Sequence, residues 1–129
     1  MNEIEAFKCQ MMNEFEMTDL GYLTYFMGME FTEIFEGLVM HQMKYASDIL
    51  KMFNMVSCNS SSSPTETNLK LVMNEDEELA DPTLFKQIVG SLRYQCNSRP
   101  DTSYAVGIIS RFMSEPRASH LQAVKRVMR

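Results

Sequence analysis

The spacing of apolar residues changes twice along this chain, and that change limits the possible folds more than any other feature. Helical spacing holds at the start, for Ile4, Phe7, Met11 and Phe15. Apolar and polar residues then alternate from Met27 to Thr32, and helical spacing returns after Asp81. A helix repeats every 3.6 residues and a strand every two, so the pattern predicts an α+β fold.

The first part of the chain is predicted to form an α–β–β unit with a helix behind it. Helix one covers about residues 3–17, and a second helix covers about residues 43–54. Between them a half-buried strand begins at Met27, a turn falls at Glu36-Gly37, and residues 38–42 return as a second strand. Two strands alone are marginal in water, so the hairpin must pack on helix one or on partners outside this sequence.

A change of composition separates this unit from the rest. Residues 57–80 contain the serine run Ser60–Ser63 and the acidic run Glu75–Glu78. Neither run can bury much apolar surface, so we expect a mobile linker, interrupted by the short apolar patch Leu69–Met73.

The last third of the chain is predicted to be a small helical bundle. Asp81 and Pro82 form an N-cap followed by a proline, Asp101 can cap the next helix, and Ser114-Glu115-Pro116 repeats the signal. The apolar stripes expected to face inward are Phe85, Ile88, Val89, Leu92 and Cys96, then Tyr104, Ala105, Ile108, Ile109 and Phe112, and finally Leu121, Val124 and Met128. The basic residues expected on the outer side of the last helix are Arg117, Lys125, Arg126 and Arg129.

Charge is divided unevenly along the sequence. Residues 1–80 carry four lysines against fourteen acidic residues, whereas residues 81–129 carry eight basic residues against three acidic ones. If a polyanion binds, the second part should meet it. The alternative is that these charges only solvate helix surfaces.

The sequence contains no recognisable metal or membrane motif. The cysteines Cys9, Cys58 and Cys96 are far apart, and neither His41 nor His120 lies at zinc-ligand spacing from them. We expect His120 to be a packing or surface residue. No apolar run approaches the roughly 18 residues of a membrane span, and we expect a soluble, intracellular protein.

A series of short strings, in order and spread over nearly the whole chain, resembles one known family. The strings are Phe15–Gly21, Tyr25–Glu30, Val89–Tyr94, Ser98–Asp101, Ser110–Met113 and Ala123–Arg126, together with Gln42-x-x-Tyr45. They are similar to the copia-type reverse transcriptase, the RNA-directed DNA polymerase of retrotransposon Pol polyproteins.

The resemblance implies a right-hand polymerase fold with a palm and a helical thumb. Residues 1–42 would be the C-terminal part of the palm, and residues 43–129 a thumb-like helical region with the mobile linker at about 57–80. The palm part would include a palm-edge helix and a hairpin resembling the primer grip at Tyr25, Phe26, Met27 and Gly28.

The family's catalytic residues lie elsewhere. The Tyr-x-Asp-Asp turn and the earlier catalytic aspartate precede this part in the family, so we expect no catalytic residue and no metal site here. The resemblance implies that an intact parent would use Mg²⁺ to copy RNA into DNA for transposition. We expect the chain on its own to be a fragment that is not an enzyme.

Tyr25 and Phe26 would stack on a base or sugar, but aromatic residues at strand spacing are more often part of a core.

The other candidate residues also have plainer explanations. Gly28 on a strand would permit close approach of a nucleic-acid backbone, or it would mark a bulge or tight packing contact. Lys86 and Arg93 share one side of a helix and would contact phosphates, or they form a solvated face. Gln95 stands where the family usually has an apolar residue, which would place an amide on or near the apolar face of the bundle.

Three hypotheses for function follow. The first is a non-catalytic remnant of a reverse transcriptase. The second is a module that binds an RNA or DNA duplex weakly through its basic part. The third is a protein-interaction fragment whose bare apolar palm surface binds the missing half of the palm or a second copy.

Overall fold

The computed structural model describes residues 2–66 and 70–129, and these residues form the α+β fold that the sequence predicts. The elements in chain order are helix α1 (Glu3–Glu14), strands β1 (Tyr25–Phe26), β2 (Met29–Ile34) and β3 (Gly37–His41), and helices α2 (Met43–Met52), α3 (Pro82–Gln95), α4 (Ser103–Ile109) and α5 (Ala118–Val127). Single 3₁₀ turns lie at Pro100–Thr102 and Ser110–Phe112.

The strands form an antiparallel sheet in the order β1-β2-β3. Phe26 pairs with Met29, and Ile34 pairs with Gly37 across the second turn. The prediction that a strand begins at Met27 and includes Gly28 was wrong. Alternation of apolar residues continues through a two-residue turn without a break, so the pattern could not show that the chain reverses there.

Helix α1 forms as predicted but ends at Glu14. Asn2 caps it, and its side chain accepts from the amides of Ile4 and Glu5. Beyond Glu14 the chain is extended, and Asp19 turns back to form an ion pair with Lys8. This local contact takes the place of a last helical turn.

The apolar face of α1 lies in solvent. Ile4 is 63% exposed and Phe7 is 60% exposed, and within residues 2–41 no side chain is buried. The expected packing of the hairpin on helix one is therefore not found. The sheet contacts α2 and α3 instead.

The hydrophobic core lies in the helical part of the chain. Its buried side chains come from three helices and the segment after α2, and they include Phe85, Ile88, Val89, Ile109, Val124 and Met55. Tyr104, predicted to face this core, is 76% exposed. In α4 the buried positions are Ala105, Val106 and Ile109, so the inward face is rotated away from Tyr104. Asp101 does not cap α4, because its carboxylate pairs with Arg99.

Part of the segment predicted as a linker lies against the start of α5. Its described residues form no helix or strand beyond an isolated bridge between Leu79 and Arg117. The side chain of Arg117 is buried and donates to the carbonyl oxygens of Glu75 and Glu77. The prediction that Arg117 faces outward was therefore wrong, because these carbonyl groups compensate for burying its charge.

Glu77 completes this contact. Its carboxylate accepts from the hydroxyl and the amide of Ser119, at 2.6 Å and 3.1 Å, in the first turn of α5. These two hydrogen bonds hold the pKa of Glu77 below its ordinary value. A carboxylate at this position also satisfies an otherwise unpaired amide at the helix start.

His120 is a packing residue, as one of the two expectations had it. The ring is fully buried and stacks on Phe112 with 3.9 Å between ring centres. Its Nδ1 accepts from the amide of Arg117 at 3.0 Å, so Nε2 carries the proton and donates to the carbonyl of Val72 at 2.9 Å.

Gln95 brings a polar atom into the bundle, as its position in the sequence predicts. Its Oε1 is buried, and no donor in the described part of the chain reaches it. An unpaired buried acceptor of this kind costs about 1–3 kcal/mol.

We predict that Gln95→Leu stabilises the chain by about 1–2 kcal/mol, because it removes this unpaired oxygen. Thermal unfolding followed by circular dichroism measures the change. Gln87→Leu is the matched control, since Gln87 is exposed on the same helix and its replacement should leave the midpoint unchanged. Equal midpoints for Gln95→Leu and the wild type would contradict the prediction.

Candidate nucleic-acid interface

The tip of the first hairpin is a two-residue turn formed by Met27 and Gly28. Both residues have positive φ, at 50° for Met27 and 82° for Gly28. Turns of this kind match the right-handed twist of the strands they join, and glycine is favoured in them. The side chains of Tyr25, Phe26 and Met27 are exposed around the turn, so they are available to a ligand.

Gly28 makes a close contact with Tyr94 of α3. A Cβ atom on Gly28 would lie 3.1 Å from Cε1 of the Tyr94 ring and 3.3 Å from its hydroxyl oxygen. The Tyr94 hydroxyl also donates to the carbonyl of Met27. The close approach that Gly28 permits is thus made by a side chain of the same molecule, which is the packing alternative raised by the sequence.

Two further residues hold Tyr94 in place. Tyr45 packs edge-on against its ring at 5.0 Å, and the Tyr45 hydroxyl donates to the carbonyl of Ser91. Gln42 is only 2% exposed; it donates to the carbonyl of Tyr94 at 3.3 Å and accepts from the hydroxyl of Ser98 at 2.6 Å. These contacts connect the end of β3, helix α2 and the second half of α3.

Sequence reasoning missed the role of this cluster. Gln42, Tyr45 and Tyr94 all belong to the strings that carry the family resemblance, yet spacing alone shows no relation between residues some fifty positions apart. Their occurrence within quoted motifs was the only available signal.

Glu30 connects the sheet to α2. Its carboxylate accepts from the amide of Lys44 at 2.8 Å and lies 3.4 Å from His41. Helix α2 has no capping bond from its own preceding residue, Gln42, so Glu30 supplies one from the sheet. The ammonium group of Lys44 lies 5.4 Å from the centre of the Tyr25 ring, within cation–π range.

Lys86 and Arg93 lie on the exposed side of α3, as predicted. Seven residues separate them, or about 10 Å along the helix axis. Within the described residues neither is joined by an ion pair, whereas Arg99, Arg117 and Arg126 pair with acidic residues. The positive charge available to a ligand is therefore smaller than the composition of residues 81–129 indicates. The phosphate contacts themselves stay a prediction.

In residues 2–66 and 70–129, no three His, Cys, Asp or Glu residues come together in a way that would hold a metal ion. No helix in these same ranges is long and apolar enough to cross a membrane.

Comparison with known proteins identifies the protein family to which the chain belongs. The family described as reverse transcriptase (RNA-dependent DNA polymerase) matches residues 1–67, more than half of the chain. The chain belongs to the reverse transcriptase family.

Within this family, the chain is similar to Pol polyproteins of copia-type retrotransposons. The chain is 40% identical over 115 residues to the retrovirus-related Pol polyprotein from transposon RE1 of Arabidopsis thaliana. The aligned region covers 89% of this chain and 8% of that protein. It is 32% identical over 135 residues to the corresponding polyprotein from transposon TNT 1-94 of Nicotiana tabacum, covering 98% of this chain and 10% of that protein.

A shorter relative covers a similar region. The uncharacterized mitochondrial protein AtMg00810 of Arabidopsis thaliana is 39% identical over 123 residues, covering 93% of this chain and 50% of that protein. The chain thus spans half of this relative and about a tenth or less of the polyproteins. No solved structure matches the chain significantly.

We predict that Gly28→Ala destabilises the chain by about 1–3 kcal/mol, because alanine is strained at positive φ and its methyl group meets the Tyr94 ring. Gly90→Ala is the control: Gly90 lies inside α3 with open space around it, so alanine there should stabilise by about 0.5–1 kcal/mol. Denaturant unfolding measures both changes. The same sign for the two variants would contradict the prediction.

Proposed function

We propose that this chain is a non-catalytic part of a copia-type reverse transcriptase and contributes contacts to the nucleic-acid duplex. The observation that carries the proposal is the bonding of the Met27–Gly28 turn to helix α3 through Tyr94. This contact joins the exposed hairpin tip to a helix that carries two exposed cations. By the family resemblance, the tip is the primer grip and the helical part is the thumb.

The surface around the turn suits the end of a nucleic-acid strand. The aromatic rings of Tyr25 and Phe26 are exposed near the tip, and exposed rings stack on bases or sugars. Lys86 and Arg93 add two charges for phosphates. Two phosphate contacts give a weak affinity that depends on salt, since each contact releases about one counterion.

Nucleotide addition has chemical requirements of its own. The reaction uses carboxylates that hold two Mg²⁺ ions at the growing end of the primer. In the described residues no three carboxylates come together in a way that would hold a metal ion, and several are engaged by their neighbours, as Asp19 is by Lys8 and Asp101 by Arg99. We propose that Mg²⁺ binding and the copying of RNA into DNA belong to another part of the parent polyprotein.

The test is an anisotropy titration of a fluorescent RNA–DNA hybrid at several salt concentrations. We expect weak binding, with a slope of about −1.8 in log affinity against log salt for two contacts. Lys86→Gln and Arg93→Gln should each reduce the slope by about 0.9. Lys51→Gln is the control, because Lys51 lies on α2 and pairs with Asp48. An affinity independent of salt, or an equal effect of the control, would refute the duplex contact.

The same samples, supplied with Mg²⁺ and nucleotides, should give no extension of the primer. Extension by the purified chain would show that the proposal is wrong about catalysis.

The exposed apolar surface of residues 2–41 supports a second function, protein association. Ile4, Phe7 and Phe15 lie in solvent on and beside α1, and exposed apolar clusters of this kind mark interaction surfaces. The partner would be the rest of the polymerase palm or a second copy of the chain.

We predict that the chain self-associates at high concentration through this surface and dissociates on dilution. Sedimentation velocity over a dilution series measures the change. Phe7→Ser should shift the distribution toward monomer, because it removes an exposed ring from the surface. Tyr104→Ser, which removes an exposed ring from the helical part, should leave the distribution unchanged. A monomer at every concentration would exclude self-association.

A further inference from the structure

We infer that Tyr94 is a positioning residue, which fixes the Met27–Gly28 turn to helix α3 so that hairpin tip and helix meet a nucleic acid at a set spacing. The inference rests on the proposed function for its consequence, but its structural basis is independent of any ligand. That basis is the contact between one side chain and the backbone of the turn.

The turn needs support from outside the hairpin. Met27 has a φ of 50°, a backbone conformation that residues other than glycine, asparagine and aspartate rarely adopt. Strand β1, which leads into the turn, has only two residues, and its side chains are exposed. Backbone strain of this kind persists only when the surrounding structure maintains it.

Tyr94 supplies the support in two ways. Its hydroxyl donates to the carbonyl of Met27, so one peptide group of the strained turn is bonded to α3. Its ring lies against Gly28, where a methyl carbon would be only 3.1 Å from the nearest ring atom. The first contact fixes the direction of the turn, and the second fixes its distance from the helix.

Tyr94 is itself held on the helix side. The Tyr45 ring packs edge-on against it, and Gln42 bonds to its backbone carbonyl and to Ser98. A rigid side chain between two elements transmits their relative position without touching a ligand. Arg93 directly precedes Tyr94, and Lys86 lies two helical turns before it, so the exposed cations are fixed relative to the same turn.

The first experiment measures hydrogen exchange in Tyr94→Phe, which keeps the ring and removes the hydroxyl. Amides in residues 25–30 should exchange about fivefold faster, the usual effect of losing one hydrogen bond. Amides in residues 34–40, at the other hairpin turn, should be unchanged. Tyr104→Phe is the control, since Tyr104 is exposed on α4 and its hydroxyl makes no hydrogen bond within the described residues. Unchanged exchange in residues 25–30, or an equal rise in both hairpin turns, would overturn the inference.

The second experiment compares two ligands of the same length, a primer–template with a recessed 3′ end and a fully paired duplex. The wild type should prefer the recessed end, and Tyr94→Phe should lose that preference while keeping its affinity for the paired duplex. Lys86→Gln should instead weaken binding to both. An equal loss for both ligands in Tyr94→Phe would show that Tyr94 only supports the fold, and would overturn the positioning role.

The two experiments separate the inference from the function on which it rests. A wild-type chain that binds neither ligand refutes duplex binding, and the exchange measurement still decides whether Tyr94 holds the turn. A wild-type chain that binds the two ligands equally well overturns the positioning consequence while leaving duplex binding in place.

Discussion

The packing of Tyr94 against the backbone of the Met27–Gly28 turn is the contact on which the relation between sheet and helical bundle depends. The sheet brings no buried side chain of its own, so its attachment to the bundle comes from a few polar and aromatic contacts. Glu30 provides one, through the amide of Lys44, and Gln42 provides another. These contacts are directional, and they specify geometry more than they add stability.

The buried side chains are distributed along the chain as unevenly as the charged ones. The core consists of side chains from α3, α4, α5 and the segment after α2, and it excludes the sheet and α1. The helical part therefore has the apolar packing of an ordinary small domain. The hairpin and α1 have the amphipathic pattern of elements that pack, but they expose their apolar faces.

The sequence predicted the fold class and the helices well because their signals are local. Asp81 and Pro82 mark the start of α3, and the apolar stripe from Phe85 to Leu92 marks its buried face. The turn at Met27–Gly28 was missed because alternation does not register a reversal of direction. The burial of Arg117 was missed because two of its partners, the backbone carbonyls of Glu75 and Glu77, lie about forty residues earlier in the sequence.

For the candidate site, too, local features could be predicted from the sequence, whereas contacts between residues distant in sequence could not. The exposed positions of Lys86 and Arg93 followed from helical periodicity, and the family resemblance singled out the hairpin tip. What could not be read from spacing was that Tyr94 occupies the space beside Gly28. A glycine on a strand is compatible with the close approach of a ligand or of a neighbouring side chain, and at Gly28 only the structure shows which of the two is present.

The outer edge of strand β3 affects how readily the chain associates with other strands. In the sheet order β1-β2-β3, no strand in the described part of the chain pairs with that side, and the residues from Gly37 to Met40 include no charge and no proline. Soluble proteins commonly protect such an edge with lysine, proline or a bulge. Here the backbone groups on the outer edge of β3 form a template for strand addition, so this chain is expected to leave solution as its concentration rises.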